Sequence, residues 1–510
     1  MTATPSGSVL LAALPLGVIL ALMIGFRWSA ARAGFAGLLL TLALVRIPFG
    51  YGDAVYPALG YGGAVGGAAA EAAFTAVTIL WILFPALCIH HLQVITGRID
   101  AIRSSVAGIS GDPRAGLLLV VWFFTLFMEG AAGFGTPVAL GAPLLVGIGV
   151  RPLHAVTASL IAHSVGVSFG AIGTPIAAQA AATGLDPRDL ARTTAAFHAP
   201  IGWIMLLLAA HVLRGSVPGG RRGVIWTLSA AVLFLAPMYA IARWVGPELP
   251  TLGGALVGAV LFVVLVRSRS GSRAGRAPLH LAPLLAAAAP YLALIAIVLL
   301  TRLVTPLRDA ALSWRIDWQL FGAFGGGMSP LYHPGTMLFV GFVAGAALQR
   351  ASPADVLAAA GRAALQLRAV TVALLAMLGI SRLMVHSGMI DTLAQAGTAA
   401  GAWWPLAAPF VGVLGTFVTG SATASNILMT DLQRATAAGL DLPVLVLLGA
   451  QGFGAAVGNI VAPHNIIAGC ATVALTGREG DVLRTTVLAC LLYATLGGLF
   501  ALALVRILQS

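Results

Sequence analysis

Runs of about 17–25 residues almost free of charge follow one another along nearly the whole chain, which is the length a helix needs to cross a bilayer. They fall near 8–24, 31–47, 73–95, 152–175, 192–212, 223–244, 250–267, 283–304, 335–349, 367–389, 443–470 and 482–507. Only 9% of the 510 residues are charged, against about 25% in a soluble domain. In lipid every backbone N–H and C=O needs a partner within its own segment. The fold class that follows is an all-α polytopic membrane protein. The first run has no basic segment before it, so it reads as a span and not as a cleaved signal. Two further regions, 115–150 and 403–440, read as pairs of short helices joined by a polar tip, that is, as helical hairpins.

The formal net charge of +12 comes from arginine alone, because the sequence has no lysine. A basic balance can mark a nucleic-acid binder, but here the arginines are scattered over short loops. The positive-inside rule accounts for them. If each hairpin adds no net crossing, Arg27 and Arg32, then Arg98, Arg103 and Arg114, then Arg214, Arg221 and Arg222, then Arg267, Arg269, Arg273 and Arg276, and finally Arg350, Arg362 and Arg368 share one side. That side is the cytoplasm, which implies about twelve full crossings with both termini outside. Cys88, Cys470 and Cys490 form no CxxC pair and read as small core residues. No metal, cofactor or nucleic acid is expected.

A hairpin in this setting should be featureless, yet Phe127–Pro143 reads FMEGAAGFGTPVALGAP. It places a carboxylate, Glu129, beside four glycines, a threonine and two prolines. A shift of about 290 residues lays FMEGAAGFGTP over FVTGSATASNI, with Gly130 over Gly420, and GAIGTP (170–175) over GNIVAP (458–463). Each half then holds a hairpin with a polar tip followed by a span broken at a glycine–proline pair. With the orientation above, the halves form an inverted repeat, 1–213 and 281–510, joined by connecting helices and a cytoplasmic loop at 214–280.

Backbone broken at membrane depth must line a cavity or be buried in protein. Thr136 before Pro137, Thr174 before Pro175, Ser425 or Asn426, and Pro463 are expected to start half-helices whose free N–H groups favour a small anion. The candidate substrate-binding residues are Gly130, Gly133, Gly135, Thr136, Gly173, Thr174, Gly420, Ser421, Thr423, Ser425, Asn426, Asn459, His464 and Asn465. A carboxyl at this depth is costly to keep charged. One that gains and loses a proton is what a proton-coupled carrier needs. Glu129 is that group, His163 shares its path, and Arg382 is a candidate carboxylate partner. His90 and His91 read as interface residues and Glu71 as the outer end of a span. The segment 305–335 reads as an outside loop with Trp314 and Trp318 at the membrane interface.

EGAAGFGTPVALGAPLLVGIG, GAIGTPI, TGSATASN and HSGMIDTLA together resemble the bacterial L-lactate permease family, in order over most of the chain. The resemblance implies a multi-pass carrier of the bacterial plasma membrane. Such a carrier takes up lactate, glycolate or a similar 2-hydroxy monocarboxylate with a proton. It also implies an elevator-like architecture in which 115–175 and 403–470 move against a scaffold. Two departures stand beside these motifs. Ala422 occupies a place where the family usually shows an acid, and PHN follows the second break. They leave open another organic anion and sodium as the coupling ion; the broken helices leave an anion channel as a rival reading, and a homodimer is the assembly considered. The match of GVSFG (166–170) to G-x-S-x-G, a hydrolase signature, lacks the strand–turn–helix setting that chemistry needs.

Overall fold

The computed structural model describes residues 6–24, 26, 28–98, 113–133, 135–215, 221–269, 281–475 and 478–509. Arg27, Arg103, Arg273, Arg276 and the side chains of Arg221 and Arg222 fall outside the described ones, as does most of the expected cytoplasmic loop. Every expected apolar run is helical. Among the described residues, seven helices are long and apolar enough to cross a membrane, or up to ten if each bent pair counts once. Four shorter apolar helices accompany them, Ser8–Ile19, Thr136–Gly147, Pro334–Leu348 and Val444–Gly458. Large apolar side chains such as Leu10, Val260, Val264 and Leu488 point outward, each more than half exposed. A surface of that kind belongs in lipid, and the chain is a multi-pass membrane protein.

Two helices are far longer than their apolar runs, Gly60–Ile95 and Pro353–His386, and they pack along each other. Glu71 therefore lies well inside a helix that continues beyond the apolar run. Its carboxylate accepts from His386 Nε2 at 2.8 Å and from the Gly325 N–H at 3.0 Å. Gly325 belongs to a second departure. The segment expected as an irregular loop holds a helix, Thr305–Ser313, and an antiparallel pair of strands, Ile316–Leu320 and Phe324–Met328. The fold is therefore not wholly α. The glycines of FGGGM permit this pairing, because a Cβ at Gly327 would fall 2.0 Å from Asp317 Oδ1. Phe324 anchors the strands against Gly67 of the long helix. Trp318 packs on Phe74 with ring centroids 5.7 Å apart, and Trp314 is exposed.

The core around the second hairpin is built backbone to backbone. Its first arm, Trp404–Thr419, lies against Val444–Gly458, with Thr416 Oγ1 donating to the Ala455 carbonyl at 2.7 Å. A Cβ on Gly454 would sit 1.9 Å from the Pro409 carbonyl oxygen, and one on Gly412 2.5 Å from that of Gln451. Close approach of this kind is the main source of helix association in lipid. Gly454→Val is expected to cost several kcal/mol, beyond the ~1–3 kcal/mol of ordinary overpacking, because backbone cannot move aside. Gly66→Val, where a Cβ meets nothing within 4 Å, is the control. Thermal unfolding in detergent, followed by size-exclusion, should show loss of the monodisperse peak for the first variant only.

Candidate functional site

The two halves meet at a cavity of about 370 Å³, its mouth included. Four helix starts contribute to its wall. Gly135 is the N-cap of Thr136–Gly147, in left-handed conformation at φ +78°. Pro175 opens the helix that resumes after 170–173. Ser421, Ala422 and Thr423 form the start of Ala422–Gly439, and Asn465 is in the first turn of Pro463–Thr472. Glu129, Gly133, Val167, Gly170, Ala171, Gly420 and Asn459 complete the lining.

The first break carries backbone strain. Ala171 (φ 42°, ψ 54°), Ile172 (φ 56°, ψ 47°) and Gly173 (φ 76°, ψ 16°) are consecutive left-handed residues. For a β-branched residue such as Ile172 this is a genuine outlier, of order 1–3 kcal/mol. Thr174 Oγ1 donates back to the Ala171 carbonyl, and Thr136 Oγ1 does the same to Gly133. Neither threonine caps a helix as its position before proline suggested; both fasten the turn behind them. Gly173 faces away from the cavity, where a Cβ would collide with the Pro247 carbonyl. Gly130 likewise packs on the backbone of Leu252.

At the second tip Ser421 is the cap, accepting from the Ala424 N–H at 3.3 Å. Ser425 and Asn426, expected as caps, lie one turn further in. Ser425 Oγ donates to the Gly412 carbonyl at 2.9 Å, and Asn426 Nδ2 donates across to the Pro175 carbonyl at 3.0 Å. Gln451 Nε2 donates to Ser425 Oγ at 3.3 Å. These groups hold the tip to its neighbours and do not line the cavity. The N–H groups of Ala422 and Thr423 stay free of intrahelical partners, as the first residues of any helix do.

Glu129 lies in the wall, 4% exposed, with His163 Nε2 3.9 Å behind its Oε2. Hydrogen-bond logic orients what surrounds them. Asn465 Nδ2 lies 3.1 Å from the Asn459 backbone carbonyl, which can only accept, so the amide nitrogen must be there. The same Nδ2 donates to Asn459 Oδ1. Asn459 Oδ1 is then the atom 3.4 Å from His163 Nε2, while His163 Nδ1 donates to the Ser159 carbonyl at 2.9 Å. The imidazole thus faces acceptors at both nitrogens, Asn459 and Glu129 on one side and Ser159 on the other. A proton between Glu129 and His163 satisfies that arrangement.

Of the remaining expected residues, the side chain of His464 lies outside the described ones. Arg382, expected as a carboxylate partner, has two carboxylates within reach of its charge. Its charge acts on Glu71 and on Asp431, a carboxylate 2% exposed on the second hairpin that the sequence reading passed over. Asp431 as a lone acid in an apolar arm was the available signal, as was Gln451 in its helix. Ser168 of GVSFG sits in a 3-10 segment, Ser164–Phe169, donating to the Gly452 carbonyl at 3.1 Å and meeting His198 Nε2 at 2.9 Å. No strand–turn–helix elbow surrounds it. His91 Nε2 meets Gln366 Oε1 at 2.9 Å.

The profile of the L-lactate permease family matches residues 8–315 and 327–508. The chain belongs to the L-lactate permease family. The unmatched stretch between those ranges holds the strand Ile316–Leu320 and the turn after it. The glycolate permease GlcA of Escherichia coli K12 is 28% identical over 97% of this chain and 95% of its own length. The L-lactate permease of Bacillus subtilis is 28% identical over 94% and 93%. That of Streptococcus iniae is 30% identical over 85% and 91%. Two solved structures align more loosely. Neisseria gonorrhoeae MtrF, described as one of a class of antimetabolite efflux pumps, has 13% identity, covers 84% of this chain and 81% of that chain, and gives a TM-score of 0.46. The Alcanivorax borkumensis YdaH transporter has 15% identity, 83% and 84% coverage and a TM-score of 0.45. Family membership makes this permease a transporter of small hydroxy acids.

Proposed function

We propose that the protein imports L-lactate, glycolate or a related small 2-hydroxy monocarboxylate across the bacterial inner membrane by proton symport. The observation that carries this reading is Glu129 in the wall of a cavity ringed by four helix starts. Free N–H groups and dipole ends suit a carboxylate; a carboxyl at the same cavity suits a proton. The solute's carboxylate docks on the N–H groups and hydroxyls of Ser421, Ala422 and Thr423. Glu129 and His163 carry the proton beside it. The names of the relatives, glycolate permease and L-lactate permease, support the substrate class.

The same reading treats the two halves as inverted repeats, with 115–175 and 403–470 moving against the remaining helices as an elevator. The Asn426-to-Pro175 bond across the halves supports their moving together. Ala422 in the cavity wall favours one second reading, another organic anion, because a methyl stands where the family usually carries an acid.

Uptake of labelled lactate into proteoliposomes tests the proposal. Saturable accumulation that needs an inward proton gradient, and that is indifferent to sodium, is expected. Passive flux with measurable conductance would make the protein a channel, and accumulation that follows sodium would replace the proton.

A further inference from the structure

Asn465 is 1% exposed and lies in the cavity wall, yet half of its amide is unused. Its nitrogen is committed to the backbone carbonyl and Oδ1 of Asn459. Its Oδ1 is buried and has no hydrogen-bond partner. That oxygen lies toward Gly135, another residue of the same wall, where a Cβ would come within 3.2 Å of it. A buried acceptor without a donor is rare and calls for one. The backbone carbonyl of Asn459 prevents the amide from turning round to offer a donor in its place. The cavity therefore has two unlike ends. The start of Ala422–Gly439 offers donors, and Asn465 offers only an acceptor.

We infer that Asn465 is a specificity-determining residue, its Oδ1 accepting a hydrogen bond from the 2-hydroxyl of the solute whose carboxylate is held by Ser421, Ala422 and Thr423. This rests on the transport reading above and deepens it. A carboxylate has no proton to give Oδ1, and neither does a 2-oxo group. A methylene leaves Oδ1 as it is, buried and unpaired. Sites built around one hydrogen bond to a hydroxyl reject analogues that lack it far more strongly than apolar pockets reject a missing methylene. The left-handed Gly135 keeps the acceptor uncovered on its cavity side.

The test is the ratio of lactate to propionate uptake, and of lactate to pyruvate uptake, in proteoliposomes at equal proton gradient. Each ratio is taken within one preparation, so a loss of folded protein cancels. Wild type should favour lactate in both pairs. Asn465→Leu, similar in shape but without the acceptor, should lower both ratios about tenfold or more. Gly135→Ala, which covers Oδ1, should lower them in the same direction. Ratios unmoved by Asn465→Leu, with wild-type uptake intact, would overturn the role of Asn465 alone. Wild type that accumulates none of the three acids would remove the transport reading, and this inference with it.

Discussion

Glu129→Gln should reduce proton-driven accumulation of lactate to the level of empty liposomes, while exchange of lactate against internal lactate continues. The substitution keeps the shape and hydrogen-bonding reach of the side chain and removes only the titratable proton. Glu129 packs within the cavity, close to Gly133 and Gly170, so an isosteric amide fits without disturbing either. Among the described residues, the titratable neighbour within ion-pair range, His163 at 3.9 Å, loses its partner for the shared proton. A carrier that cannot load a proton at this point still binds and shuttles its anion but cannot couple it to the gradient. Exchange and net uptake should therefore separate, which misfolding would not produce. Undiminished gradient-driven accumulation in this variant would remove Glu129 from the coupling step.

Gly170→Ala should produce nearly as large a loss by a different physical route. Gly170 has φ −65° and ψ 157°, a conformation open to any residue, so backbone strain is not the issue. The obstacle is space, because the new Cβ would sit 2.0 Å from Glu129 Oε1. That atom is the far end of a rotatable side chain, so it swings aside and the protein still folds. The carboxyl then no longer sits where the solute and His163 meet. Net uptake should fall about tenfold or more with little change in thermal stability, in line with the cost of ~1 Å misplacement of a reacting group. The double variant with Glu129→Gln should be no worse than Glu129→Gln alone, since both act through one side chain. Additive losses would mean that Gly170 matters for another reason.

Much of this site was legible before any coordinates. Glu129, Gly133, Gly135, Gly420, Ser421, Thr423, Asn459 and Asn465 were singled out by type and position, and all eight line one cavity. They could be read because a carboxylate or a glycine–proline break within an apolar run has few physical excuses. Which neighbours share the wall was less legible. Val167 and Ala171 are apolar residues in an apolar chain and carry no mark. Thr136, Ser425 and Asn426 carried the right mark and the wrong task, since a hydroxyl or amide near a helix start can cap it, fasten a turn or bridge to a neighbour. The choice depends on which acceptor lies within 3 Å. The strands at 316–328 escaped notice because FGGGM has no alternating apolar pattern, and its pairing is permitted by the absence of side chains.

The amino-acid order alone determined that the chain lies in a bilayer as helices, and where those helices break. Both follow from local facts, since the demand for backbone hydrogen bonds in lipid and the conformational limits of glycine and proline act within one segment. Only the tertiary structure decided which carboxylates feel the charge of Arg382, Glu71 and Asp431, that Asn465 must present its oxygen, and that Asn426 ties the two halves together. Those outcomes join residues as much as about 300 positions apart, where hydrogen bonding is settled by packing and not by sequence neighbours.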